Sequence, residues 1–294
     1  MAEATPRQRR IVPASRAVTA RPKRNVTACE TALRTIARDC LKALELEAGA
    51  AGDGDADALH RTRIALTRLR AAIRFFAPAI DGTSWRVLRE HGSWLSRATG
   101  SARDIDVALQ RQRSKATLPP TAKQWRKQRE KLQGSLRRAF RSARYKRFVR
   151  ALARQCRPVD DGRDHSVVLR RFSTRRLKRW QDKLLTKAGK LDRLGPGKQH
   201  RLRIRTKRFR YALEWSLPVL KREAAVVRKQ IAQAKVIQKA LGKLNDANTH
   251  RAQAKQLGID PLPSVMRLGR QKSQQRLIST ARLAFGELRQ LRLL

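Results

Sequence analysis

The strongest constraint on the fold is that the sequence is written twice. Leu59-His60-Arg61-Thr62-Arg63-Ile64-Ala65-Leu66-Thr67-Arg68-Leu69-Arg70 returns as Gln199-His200-Arg201-Leu202-Arg203-Ile204-Arg205-Thr206-Lys207-Arg208-Phe209-Arg210. The match continues through Ala72-Ile73 and Ala212-Leu213 to Pro78 and Pro218. A Gly/Asp-rich stretch at 49–57 recurs at 189–197, and Pro119 recurs as Pro261. A tandem duplication calls for two copies of one unit, most simply related by a pseudo-two-fold axis.

Turn chemistry defines that unit. Clusters of Gly, Pro, Asp and Ser at 49–57, 78–84, 117–121, 157–164, 192–197, near Pro218 and at 258–264 cut the chain into eight stretches. The stretches are rich in Ala, Leu, Arg, Lys and Gln, and their apolar residues recur at helical spacing, so nothing reads as a strand. Each copy should carry four helices, roughly 26–48, 58–77, 84–116 and 120–156, then 165–192, 198–221, 222–257 and 264–293. The expected fold is all-α: two pseudo-two-fold-related four-helix bundles around a basic central groove, over residues 25–157 and 158–294. Residues 1–24, with seven basic residues and three prolines, read as a disordered basic arm.

The repeated helix has two faces. At 100° per residue, His60, Arg63, Thr67, Arg70 and Arg74 share one 80° sector, opposite Leu66, Leu69, Ile73 and Phe76. The second copy places His200, Arg203, Lys207, Arg210 and Glu214 opposite Leu202, Phe209 and Leu213. One face is core and the other a cationic ridge about 21 Å long from His60 to Arg74, enough to meet several successive phosphates. A merely solvated face would tolerate any polar residue. Here His, Arg, Ile, Arg and Arg recur at identical offsets between halves that are otherwise dissimilar.

Charge names the class of ligand. The chain holds 70 Lys+Arg against 23 Asp+Glu, a formal +47, and 50 of the basic residues are Arg. Self-repulsion on that scale needs a counter-charge, and the arginine bias favours bidentate phosphate contacts. Nucleic acid, an anionic membrane surface or inorganic polyphosphate would serve. Aromatics are only 5% and few interleave with the basic stripe, which argues against base stacking. Cys29, Cys40 and Cys156 form no CxxC pair, so neither a disulfide framework nor a zinc site is indicated, and a reducing, cytoplasmic setting is expected. No apolar run is long enough to span a bilayer, so a soluble protein without membrane insertion is expected.

A second repeated element, Gly100-Ser101-Ala102-Arg103-Asp104-Ile105-Asp106, matches Gly242-Lys243-Leu244-Asn245-Asp246-Ala247-Asn248. It reads as structural: a small residue permits close helix packing, and one Asp orients a ridge arginine. As carboxylates isolated in different halves, Asp104 and Asp246 lack the clustering that acid/base or two-metal chemistry requires. His91, His165 and His250 stand alone without metal-ligand spacing and are expected at the surface or as caps. No GxxxxGK[ST] or GxGxxG stretch occurs. The Arg-rich stretch 120–156 reads either as a second contact surface or as a solvated outer face.

These residues resemble the CHAD family, the conserved histidine α-helical domain, whose hallmark is a duplicated H-x-x-R-x-x-x-[KR]-R-x-R helix. His200, Arg203, Lys207, Arg208, Arg210 and Tyr211 carry the likeness in the second half, and His60, Arg63, Arg68 and Arg70 in the first. Thr67 stands where the family often has a basic residue, so the two ridges are not expected to contribute equally. The resemblance spans about residues 25–294. It implies two helical bundles around a positive channel, binding of inorganic polyphosphate, association with polyphosphate granules and their proteins, and no catalytic activity or cofactor. The expected contacts are His60, Arg63, Arg68, Arg70, Arg74, His200, Arg203, Lys207, Arg208, Arg210 and Tyr211. The E-x-E-x-K strand of an associated triphosphatase is missing, since Glu45-Leu46-Glu47 continues into Ala48-Gly49. The competing readings are a nucleic-acid-binding architectural protein and a polyphosphate-processing enzyme.

Overall fold

The computed structural model describes residues 24–80, 82–113, 120–158, 166–268 and 270–293. The basic arm expected over 1–24 lies outside them apart from Arg24. The described residues contain twelve α-helices and no strand. In order they are α1 (Arg24–Asp53), α2 (Ala56–Phe76), α3 (Thr83–Ala98), α4 (Gly100–Arg113), α5 (Pro120–Lys131), α6 (Gln133–Arg141), α7 (Ala143–Gln155), α8 (Ser166–Ala188), α9 (Pro196–Ser216), α10 (Ala224–Leu257), α11 (Pro263–Leu268) and α12 (Gln271–Gln290). A 3-10 turn at Leu191–Arg193 precedes α9.

Three helices expected to run unbroken are segmented. The stretch 84–116 divides at Thr99 into α3 and α4, and 120–156 divides into α5, α6 and α7. Ser142 makes the last of these breaks. Its backbone is extended, and its hydroxyl accepts the Tyr145 N–H at 3.1 Å, the usual chemistry of a helix start. The stretch 264–293 becomes α11 and α12. By contrast 222–257 remains one helix, α10, closed by Gly258 at φ 63°, a left-handed conformation that glycine adopts without a Cβ penalty.

The basic helices are fixed by their apolar faces. Leu66, Leu69, Ile73 and Phe76 of α2, and Leu202, Phe209 and Leu213 of α9, are all buried. Burial of such side chains stabilises by about 1.5–3 kcal/mol each. The duplicated helices α2 and α9 pack against each other, α1 runs along α2, and α10 packs on both α9 and α12. One large apolar cluster takes in residues of both halves, from Cys29 to Leu293. A second, smaller cluster also draws on both: Ile105 and Ala108 of α4 and Trp125 of α5 meet Ala247 of α10 and Val265 of α11. The duplicated helices α2 and α9 thus adjoin, while each apolar cluster joins the two halves.

Candidate polyanion-binding site

The helices α2 and α9 pack against each other, and their cationic ridges adjoin along one seam, where Arg68 reaches Glu214 and Lys207 neighbours Arg63. His60 and Arg74 are exposed at its ends, while Arg63, Arg68, Arg70, Arg203, Lys207, Arg208 and Arg210 are half-buried. His200 is exposed. Tyr211 is placed differently from the expectation of a ligand contact: it is 2% exposed, its ring covered by Arg210 at 4.6 Å, Arg68 at 5.3 Å and Lys207 at 5.8 Å. It supports cations from beneath and does not present itself to a ligand.

The contacts come in pairs that a two-fold exchange of the repeats would interchange, and several pairs are chemically unlike. Arg68 reaches Glu214 across the seam at 3.4 Å. The equivalent position pairs Arg208 with Arg74, two cations lining one cavity. Arg210 donates to Gln238 at 3.3 Å, and its counterpart Arg70 to the hydroxyl of Ser96 at 3.3 Å. His200 shares a hydrogen bond with the Asn245 side-chain oxygen. His60 instead faces Arg103, the counterpart of Asn245.

The repeated glycines sit under the ridge arginines, as their small size allows. A Cβ on Gly242 would lie 3.5 Å from Arg203 Nε, and one on Gly100 would lie 4.0 Å from Arg63 Nη1. Arg63 also holds the break between α3 and α4. Its Nη1 donates to the Ser96 carbonyl at 2.6 Å and to the Thr99 hydroxyl at 2.9 Å, and that hydroxyl donates to the Leu95 carbonyl at 2.8 Å.

Like charge and poor solvation strain the seam. Burial pushes the Lys207 ammonium down to about 8, with Arg203, Arg210 and Arg63 adding repulsion. Burial, then Arg74, Arg70, Arg205 and Arg89, pushes Arg208 down to about 10. Arg63 and Arg70 are lowered chiefly by burial. Partial loss of solvent around its ring lowers His60 below the ordinary histidine value, with Arg103 and Lys207 adding to the effect and Asp57 opposing it. An anion laid on the seam would favour the charged form of each of these groups and so oppose all of these shifts together.

The two carboxylates expected to be isolated are brought together. Asp104 of α4 and Asp246 of α10 line one small cavity, because the duplicated helices α4 and α10 pack against each other. Asp246 is ion-paired with Arg111. Burial raises the Asp104 carboxyl above the usual carboxylate range, as does Asp246, against the pull of Arg63, Arg203 and His200. Both carboxylates thus have arginine neighbours, in keeping with an orienting role. Among the described residues no group of three or more His, Cys, Asp or Glu side chains could hold a metal ion.

Of the lone histidines, His250 is a correction: it is 3% exposed, stacks on Trp125 with ring centroids 4.1 Å apart, and accepts the Leu262 N–H at 2.9 Å. His91 is half-buried and stacks on Phe148, and His165 lies outside the described residues. Arg137, Arg138, Arg141, Arg144, Arg147 and Arg150 are exposed on α6 and α7, away from the seam. All three cysteines are free and buried, their thiols pushed up by burial to about 12, 12 and 11. Among the described residues no helix is long and apolar enough to cross a membrane.

Residues outside the repeat motif complete the site: Arg103, Asn245, Ser96 and Gln238 around the seam, and Arg176 and Lys183 of α8 beside Arg74, Arg205 and Arg208. Only the repetition of 100–106 at 242–248 hinted at the first two. Nothing in the spacing of α8 marks the last pair.

Comparison with known proteins agrees with this geometry. The fold is similar to the crystal structure of the CHAD domain from the plant Ricinus communis, with a TM-score of 0.64, 21% identity, and coverage of 88% of this chain and 92% of that one. It is also similar to PptA from Streptomyces chartreusis, with a TM-score of 0.55, 18% identity, and coverage of 92% and 99%. No curated relative matches the sequence. The CHAD domain family matches residues 35–255, which take in both basic helices and both Gly/Asp elements, and the chain belongs to that family.

Proposed function

We propose that this protein binds inorganic polyphosphate along the seam between α2 and α9, without catalysis, in the cytoplasm and on polyphosphate granules. The observation that carries the reading is the meeting of two cationic ridges from separate repeats, with the half-buried Lys207 among Arg63, Arg203 and Arg210. A linear chain with one negative charge per phosphate matches a row of arginines and lysines better than a compact anion does. The CHAD family is associated with polyphosphate-related proteins, which agrees in chemistry with the site. Asp246, ion-paired with Arg111, and Asp104 beside it in one cavity position cations and process no ligand.

Competition binding tests the ligand: long-chain polyphosphate against duplex DNA at matched charge and salt, with the salt slope reporting phosphates engaged. Polyphosphate should win clearly; equal affinity would sink the assignment in favour of a general nucleic-acid-binding role. Polyphosphate length after prolonged incubation with Mg²⁺ tests the absence of catalysis, and shortening that Asp104→Asn abolishes would overturn it.

A further inference from the structure

We propose that the cavity between α2, α8 and α9 is an anchor for the terminal phosphate of a polyphosphate chain, so that the seam binds its ligand end-on and in one direction. The inference rests on the seam's being a polyphosphate site and adds a second, separate contact to it.

The argument comes from comparing one place in the two repeats. Where Arg68 crosses the seam, the second copy fills the space beside it with Tyr211 and Trp215, stacked at 5.9 Å, and neutralises it with Glu214. At the equivalent place around Arg208, the residues are Ala71, Phe75 and Arg74. A methyl group stands where the other copy has a phenol ring, and a cation where it has a carboxylate. Beside Arg74 and Arg208 lies a cavity of about 310 Å³, lined by these two with Arg176, Lys183 and Arg205 and by no carboxylate. That volume suits a small ligand.

The cavity is organised before any ligand arrives. Arg176 donates from Nε to the Phe75 carbonyl at 3.1 Å and from Nη2 to the Arg74 carbonyl at 3.1 Å, which fixes its guanidinium over the last turn of α2. It also lies 5.4 Å from the centre of the Trp180 ring. Holding a cation in place reduces the ordering cost of binding. Burial and four arginines depress Arg208, so an anion here meets cations in a cavity that no carboxylate lines. An internal phosphate of a chain carries one charge, whereas a terminal phosphate carries close to two at neutral pH because its second ionisation lies near 6. The five-cation cavity fits the terminal group, and the Glu214 end of the seam does not.

The test is calorimetric, on the full chain, with two small probes: linear tripolyphosphate, which has terminal phosphates, and cyclic trimetaphosphate, which has none. The linear probe should bind at least about tenfold tighter, and Lys183→Glu with Arg205→Glu should weaken it by at least about tenfold, the scale of one or two lost charge-assisted contacts. Both side chains are exposed, so the fold should survive, and Lys183→Gln with Arg205→Gln gives the same reading without reversing charge. Arg63→Glu with Arg203→Glu should weaken long-chain binding by at least about a hundredfold, down towards the affinity of tripolyphosphate. Equal affinity for the linear and cyclic probes, or tripolyphosphate binding indifferent to Lys183 and Arg205, would overturn the anchor. Long-chain binding indifferent to Arg63 and Arg203 would overturn the seam instead, whatever the small probes do.

Discussion

The two copies of the basic helix share a pattern and differ in how their charge is satisfied. On α9, His200 has an amide partner in Asn245, and Glu214 is shared between Arg68 and Arg210. On α2, His60 faces Arg103, and Arg74 stands beside Arg208 where the other copy has its carboxylate. Duplication supplied two equivalent frames. Substitution at 71 and 74 against 211 and 214 then left the Glu214 end of the seam with a carboxylate and the Arg74 end with none lining its cavity.

The largest expected effect removes both frames at once. Arg63→Glu with Arg203→Glu should weaken long-chain polyphosphate binding by at least two orders of magnitude, taking about 1.5–3 kcal/mol per charge-assisted contact. Arg147→Glu with Arg150→Glu on exposed α7 should cost about threefold or less, because screened charges act weakly at a distance. Equal losses from the two pairs, in titrations at one salt concentration, would move the site to the outer face.

Exchanging the unlike residues should come next. Glu214→Arg removes the carboxylate from Arg68 and Arg210, so the free protein should lose about 1–2 kcal/mol while ligand-induced stabilisation grows. Arg74→Glu should do the reverse, pairing with Arg208, raising the melting temperature of the free protein and weakening binding. Melting curves with and without polyphosphate read both. Shifts of the same sign in the two variants would deny that the copies differ in this way.

Lys207 gives a smaller, pH-dependent effect. Its folded value of about 8 lies below the unfolded value near 10.5. Below about 8 both states hold the proton and the repulsion is fully present. Between the two values the unfolded chain holds more protons, so the free protein should gain stability as pH rises. Bound phosphate favours charged Lys207, so affinity should fall through the same region. Lys207→Met should flatten both profiles, measured as melting temperature and dissociation constant from pH 7 to 10. The smallest expected change is local: Arg103→Asn should raise the His60 ring value by removing its first charged neighbour, observable by NMR titration, with little change in affinity.

The faces of the basic helix were legible because burial follows helical period: Leu66, Leu69, Ile73 and Phe76 are all inside. The role of Gly100 and Gly242 was legible from their repetition. The break at Thr99 was not, since Arg63, more than thirty residues earlier in the chain, holds the Ser96 carbonyl and the Thr99 hydroxyl. The meeting of Asp104 with Asp246 depends on the packing of α4 against α10, which no spacing reveals. Tyr211 was misplaced for a related reason: a residue in a motif of ligand contacts can serve by lying under them. The mismatch of Arg74 with Glu214 could be read from the repeat, but the cavity beside Arg74 is completed by Arg176 and Lys183, whose helix carries no such signature.

The smaller apolar cluster has a consequence for how the two copies depend on each other. Trp125 of the first half donates its indole N–H to the Asp260 carbonyl of the second at 2.9 Å, and its ring lies flat on His250. A cut at the repeat boundary would strip each fragment of partners that fill its own interior. The copies are no longer spare parts. Mixing separately made fragments should restore structure only when both are present, and a mutation in either repeat should be felt as a defect of the whole chain.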